Sequence, residues 1–179
     1  MFIIEHLDPK LWKWSSIEYK HIVSIIGKKN VLFTNLNSKN FPSTPKHVMD
    51  LELDRPCILD PFAKKTLTPA DAKKFSDFIF GGVLGDNPPR KRTEEEITSK
   101  LRYPARNLGK AQFSTDTAVL VTKMILDGTP LEKIPFVDEV EIPLRKGETT
   151  ILPYKYVMRN GKPALAKGLA EYLKKKKEF

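Results

Sequence analysis

The chain has 179 residues, 40% of them apolar and 30% charged, which is about one domain's length with a globular rather than a disordered composition. Its 31 Lys and Arg outnumber 22 Asp and Glu to give a formal charge of +9, an excess that suits an anionic partner, although a solvated lysine tail over residues 174–177 supplies four of those cations. A single cysteine, Cys57, excludes an internal disulfide and points to a reducing, cytoplasmic setting; three scattered histidines argue against a metal site.

Taken in chain order, "FIIEH" (2–6) predicts a short buried strand. Glu5 and Asp8 interrupt the apolar run that a signal peptide would need, and no segment approaches the roughly 20 apolar residues that span a bilayer, so no membrane partner is expected. A helix follows, with Ser15 and Glu18 spaced as a capping box and Gly27 as its stop. "VLFTNL" (31–36) predicts a second strand, and residues 37–50 a loop with at most a helical turn. "CILDP" (57–61) predicts a third strand. Thr68, Pro69 and Asp71 mark a helix start, and "DFIF" (77–80) predicts a fourth strand. Strand, helix and strand in so few residues predict a parallel crossover.

Residues 83–102 carry little regular pattern apart from a turn of helix near Glu94. "ARNLG" (105–109) predicts a short strand. Ser114 or Thr115 caps a helix that runs to about Asp127 and stops at Gly128. "IPFVDEV" and "TTILPYKYVM" predict later strands, Asn160-Gly161 a turn, and Pro163 the opening of a last, basic helix from about residue 164. The whole reads as a single α/β domain over 1–179, a mostly parallel sheet with helices on both faces.

Two loops stand out for chemistry. In "FGGVLGDNPPR", the pair Gly81-Gly82 ends a strand; it serves either a tight turn or the close approach of a ligand to bare backbone. Asp86 follows Gly85, either capping the Asn87-Pro88 turn or orienting a substrate. Pro88 and Pro89 stiffen the path to Arg90 and Arg92, which are then a solvated basic loop or a grip on an anion. In "NLGKAQFSTDTA", a glycine-bearing loop runs into a capped helix whose N-terminal amides suit a carboxylate or phosphate. Each signal has an ordinary structural explanation alone; together they predict one cradle built from two strand-terminal loops.

"IIEH", "ILDPFA", "LTPADAKKFSDFIFGGVLGDNPPRKRT", "LGKAQFSTDTA", "LPYKYV" and "GKPAL" resemble, in that order, the SPOUT-class S-adenosylmethionine-dependent methyltransferase family shared by archaea and eukaryotes. Its eukaryotic branch includes an arginine methyltransferase acting on a small-subunit ribosomal protein. The resemblance implies a C-terminal trefoil knot, which ordinary topological rules would not suggest. It also implies S-adenosylmethionine held by Gly81, Gly82, Leu84, Gly85, Leu108, Gly109, Gln112, Phe113 and Ser114, with Pro61 and Thr117 at the rim and S-adenosylhomocysteine as product. An arginine acceptor calls for a carboxylate: Asp86 first, then Asp116 and Glu5. An RNA acceptor (rRNA or tRNA) would instead be gripped by Arg90, Arg92 and Arg106. The readings left open are methylation of a ribosomal protein, methylation of RNA, and a non-catalytic RNA- or ribosome-binding module. Monomer and homodimer stay equally open.

Overall fold

Four short, largely apolar runs and a two-residue edge strand pair into one wholly parallel sheet: β1 (Phe2–His6), β2 (Val31–Thr34), β3 (Pro56–Leu59), β4 (Asp77–Gly82) and β5 (Ala105–Arg106), in the order β2-β1-β4-β3-β5. The computed structural model describes residues 1–84, 90–144 and 147–175. Every residue of β1 is buried, as a central strand covered on both faces requires. Side-chain alternation along the strands then feeds two cores. Ile4, Phe33, Leu59, Phe78 and Phe80 pack against α1 (Lys13–Ile26) and a later helix, Thr115–Leu126, through Tyr19, Ile22, Leu120 and Ile125. Ile3, Ile58 and Ile79 face the other way, onto Val48 and Ile97. Ile97 lies in a π-helical turn, Glu94–Thr98, that runs into α2 (Ser99–Leu101); the Thr115–Leu126 helix is therefore α3.

A smaller antiparallel layer follows. β7 (Val140–Pro143) pairs with β8 (Thr149–Leu152), and β6 (Phe136–Val137), β9 (Tyr156–Arg159) and β10 (Lys162–Pro163) form a second ribbon. Ile142, Leu152, Tyr156 and, from α4 (Leu169–Lys175), Leu169 and Leu173 close a third core that includes Ile17 of α1.

Three local expectations change. The N-cap of α1 is Trp12, so Ser15 and Glu18 lie inside the helix and form no capping box; Glu18 instead accepts a 2.7 Å bond from Trp14 Nε1. The segment after Thr68 is a short 3-10 helix, Pro69–Lys73, although Thr68 and Asp71 do make the reciprocal cap. Pro163 opens no helix. Asn160 and Gly161 take φ of 51° and 72°, turning the chain back so that Pro163 pairs with Met158, and α4 begins at Leu169. Gly27 stops α1 as expected, at φ 83° with its N–H bonded to Val23 O.

Candidate active site

The carboxyl ends of parallel strands leave a sheet open to ligands, because the chain departs there in loops while the backbone between stays rigid. Here the segments that follow β3, β4 and β5 enclose a cavity of ≈ 310 Å³ with an adjoining recess of ≈ 60 Å³. The larger space falls within the roughly 300–1,000 Å³ of small-molecule sites. Leu59 and Pro61 come from the end of β3, Phe80, Gly81, Val83 and Leu84 from the end of β4 and just beyond it, and Lys110 to Phe113 from the loop before α3. Thr115 and Ala118, on the first turns of α3, and Arg90, Arg92 and Thr93 complete the lining.

Both glycine-bearing loops therefore border one space, and a third loop, after β3, joins them. Asn107 staples the loop after β3 to the loop before α3. Its side-chain amide donates to Ala63 O at 2.7 Å, and its side-chain oxygen accepts from Gly109 N at 2.9 Å. The loop before α3 is further tied to the C-terminal layer, where Lys155 N donates to Gln112 O and the Phe113 ring lies 5.6 Å from Phe136. The Thr115 hydroxyl lies 3.5 Å and 3.4 Å from the carbonyls of Gly81 and Val83, linking α3 to the end of β4.

The two glycines of β4 have different jobs. A β-carbon on Gly81 would meet Thr93 and Leu7 at the cavity wall. One on Gly82 would run into the Tyr19 hydroxyl, Ile4 Cγ2 and Glu5 O; Gly82 does not line the cavity, and its bareness serves the packing of α1. Of the other expected cofactor contacts, Pro61, Leu84, Gln112 and Phe113 line the cavity, and Leu108 and Gly109 line the recess. Ser114 and Thr117 line neither space. The Ser114 hydroxyl donates to Asp116 Oδ1 at 2.7 Å and sits 2.8 Å from the Thr117 hydroxyl, so both serve the buried start of α3. Gly85 and Asp86 lie outside the described residues.

The expected carboxylates are placed apart. Asp116, 1% exposed, pairs with His21 Nδ1 at 2.7 Å and with Ser114, between α1 and α3. Glu5, 2% exposed, lies on the opposite face of the sheet, where it accepts from the Thr34 hydroxyl and from Val48 N and pairs with His47. Both thus have each of their oxygens engaged.

The expected cations are also engaged. Arg106 makes a two-pronged pair with Asp71, Nε to Oδ2 at 3.2 Å and Nη2 to Oδ1 at 3.0 Å, over the Phe75 ring. Burial raises the Asp71 carboxyl, but bonds from Arg106 and Thr68 outweigh it and hold its pKa below the ordinary value. Arg92 donates to Asp8, Glu96 and Leu7 O. Burial works against its charge, and the Asp8 and Glu96 bonds overcome that, leaving its pKa above the usual arginine value.

Two groups that sequence reasoning passed over stand close behind the cavity. Asp8, just past the end of β1, accepts from Leu84 N at 3.2 Å as well as from Arg92. Attention to the strand-end position of "EHLDP" would have found it. Glu18 is buried near Asp116, and its pKa is pushed well up, first by desolvation and then by the Asp116 charge. The capping-box role expected of Glu18 gives no hint of that burial. Among the described residues no group of His, Cys, Asp and Glu could hold a metal ion, and no helix is long and apolar enough to cross a membrane.

A family model described as "Protein arginine N-methyltransferase SFM1-like" matches residues 1–178. Protein arginine N-methyltransferase SFM1 of Saccharomyces cerevisiae is 36% identical over 203 aligned positions, covering 97% of this chain and 94% of the relative. The crystal structure of the yeast arginine methyltransferase SFM1 complexed with SAM matches with a TM-score of 0.89 at 35% identity, over 97% of this chain and 89% of the other. The dual specific Trm10 from Thermococcus kodakaraensis matches at TM-score 0.58 and 16% identity, over 74% of this chain and 95% of the other, a likeness of fold alone.

Proposed function

We propose, from the premise that this chain belongs to the SFM1-like protein arginine N-methyltransferase family, that it transfers a methyl group from S-adenosylmethionine to an arginine side chain of a ribosomal protein. The observation that carries the reading is the cavity itself. Two glycine-bearing loops, distant in sequence, border one space, and the missing β-carbon at Gly81 lets Thr93, another lining residue, pack directly against the strand end.

The residues present fit the cofactor. Leu59, Phe80, Leu84 and Phe113 give flat and branched apolar surface for a heterocycle, Gln112 and bare backbone at Gly109 give polar edges, and Arg90 and Lys110 suit a carboxylate tail. When bound, S-adenosylmethionine supplies an electrophilic methyl on a sulfonium centre. The chain's part is to hold the two reactants in line and to exclude water.

The acceptor guanidinium is protonated at neutral pH, so a carboxylate must orient it and take the proton released as the new N–C bond forms. Asp86 is the first candidate for that role. Asp116 and Glu5 rank behind it, because their oxygens already serve His21 and Ser114, and His47, Thr34 and Val48.

A ribosomal acceptor and a cytoplasmic location fit the +9 charge and the lone, buried Cys57, whose thiol burial pushes up to about 12. The trefoil knot follows from the SPOUT resemblance. The test is transfer of tritium from the labelled cofactor into ribosomal protein or RNA. Label on an arginine of a ribosomal protein is the result expected. Label in a nucleotide would overturn the arginine acceptor, and no heat on titration with S-adenosylhomocysteine would overturn the enzyme.

A further inference from the structure

We propose that Asp8 is a positioning residue that fixes the distance between two chain segments lining the cofactor cavity. Its two carboxylate oxygens serve one segment each. Oδ2 accepts from the backbone N–H of Leu84, two residues past β4, and Oδ1 accepts from Arg92 Nη1 at 2.9 Å; both residues line the cavity. Asp8 itself is anchored to the sheet, because the neighbouring Leu7 N–H continues the β1–β4 pairing to Gly82 O at 3.0 Å, while Leu7 O accepts from Arg92 Nη2. The Asp8 side chain is 8% exposed and that of Arg92 22%, so the pair is shielded enough for a charge-assisted bond to hold its geometry. Glu96 holds the far side of the same guanidinium. The Arg92 guanidinium is thereby fixed in place and largely neutralised, and the Leu84 backbone is set by the same carboxylate.

The chemistry of the side chain makes this testable. A carboxylate accepts from both donors, whereas an amide has one oxygen and must abandon either Leu84 N–H or Arg92. Asp8→Asn keeps the shape and breaks the bridge. The inference rests on the cavity being the cofactor site, and the measurements separate the two claims.

Calorimetry with S-adenosylhomocysteine is expected to show affinity reduced about tenfold in Asp8→Asn, the size of one lost bond to a charged group. Hydrogen exchange at the Leu84 amide is expected to quicken in the protein without ligand. Steady-state kinetics is expected to show a raised KM for S-adenosylmethionine with kcat at saturation within about threefold of wild type, the mark of lost ground-state binding rather than lost chemistry. Arg92→Gln breaks the bridge from its other end, and the double variant is expected to bind no more weakly than the worse single one. Binding by wild type together with unchanged affinity in Asp8→Asn, or multiplicative losses in the double variant, would overturn the role of Asp8. Failure of wild type to bind would overturn the site and the proposal together. If Asp8→Asn does not fold, Arg92→Gln carries the same decision, since unchanged affinity there would show that the bridge positions nothing.

Discussion

A β-carbon built on Gly81 would stand 2.6 Å from Thr93 Oγ1, closer than real side chains approach. Gly81 is the penultimate residue of β4 and Thr93 precedes the π-helical turn, and both line the cavity. Gly81→Ala is therefore expected to push Thr93 outward and weaken S-adenosylhomocysteine binding by about tenfold, ~1.4 kcal/mol. Adding Thr93→Ala removes the nearest atom and is expected to restore part of the loss. Titration calorimetry on both variants checks it, and full affinity in Gly81→Ala alone would show that this wall is not a contact.

Gly82→Ala is expected to behave differently. Its β-carbon would stand 2.8 Å from Ile4 Cγ2 and 3.0 Å from Glu5 O, besides meeting the Tyr19 hydroxyl, all in well-packed core. Overpacking of this kind costs about 1–3 kcal/mol. Thermal unfolding should show a lowered Tm, with cofactor affinity close to wild type in whatever remains folded. A normal Tm would contradict the packing role.

Glu18 links stability to pH. Burial and the nearby Asp116 charge raise its folded pKa well above that of the unfolded chain, so the folded state holds a proton that the unfolded state has lost. The stability so contributed is complete below the ordinary carboxyl range and is lost as pH climbs through the raised value. Glu18→Gln keeps an acceptor for Trp14 Nε1 and mimics the protonated acid toward Asp116. It is expected to remove that slope, leaving the variant more stable than wild type at alkaline pH. Denaturant midpoints measured across pH test it, and parallel profiles would refute it.

Asp71→Asn should act in the opposite sense. The Arg106 and Thr68 bonds depress the Asp71 pKa, so its contribution is present above the unfolded carboxyl value and disappears as pH falls through the lower folded one. The variant leaves Arg106 without its paired charge, and a loss of about 3 kcal/mol is expected near neutrality, shrinking toward acid. Urea unfolding at neutral and acid pH gives the comparison.

Asp86→Asn addresses the chemistry. If that carboxylate orients the acceptor guanidinium, S-adenosylhomocysteine should bind as in wild type while turnover falls by about 10²-fold or more. Retained turnover would transfer the role to Asp116 or Glu5.

Much of the parallel sheet was legible from local pattern. Apolar runs at residues 2–6, 31–34, 57–59 and 77–80, with Thr68-Pro69 and Gly27 as punctuation, determine strands and turns through short-range sterics and capping, which a chain carries with it wherever it folds. The two glycine loops were visible for the same reason. Tertiary packing decided what local pattern cannot carry: that Gly81 leaves room for Thr93 and Gly82 for a tyrosine, that Arg92 and Arg106 are bound by Asp8 and Asp71, and that Pro163 joins a strand. Charge pairing and close packing depend on which residues meet across 35 to 84 positions of chain, and only the folded arrangement of the sheet brings them together.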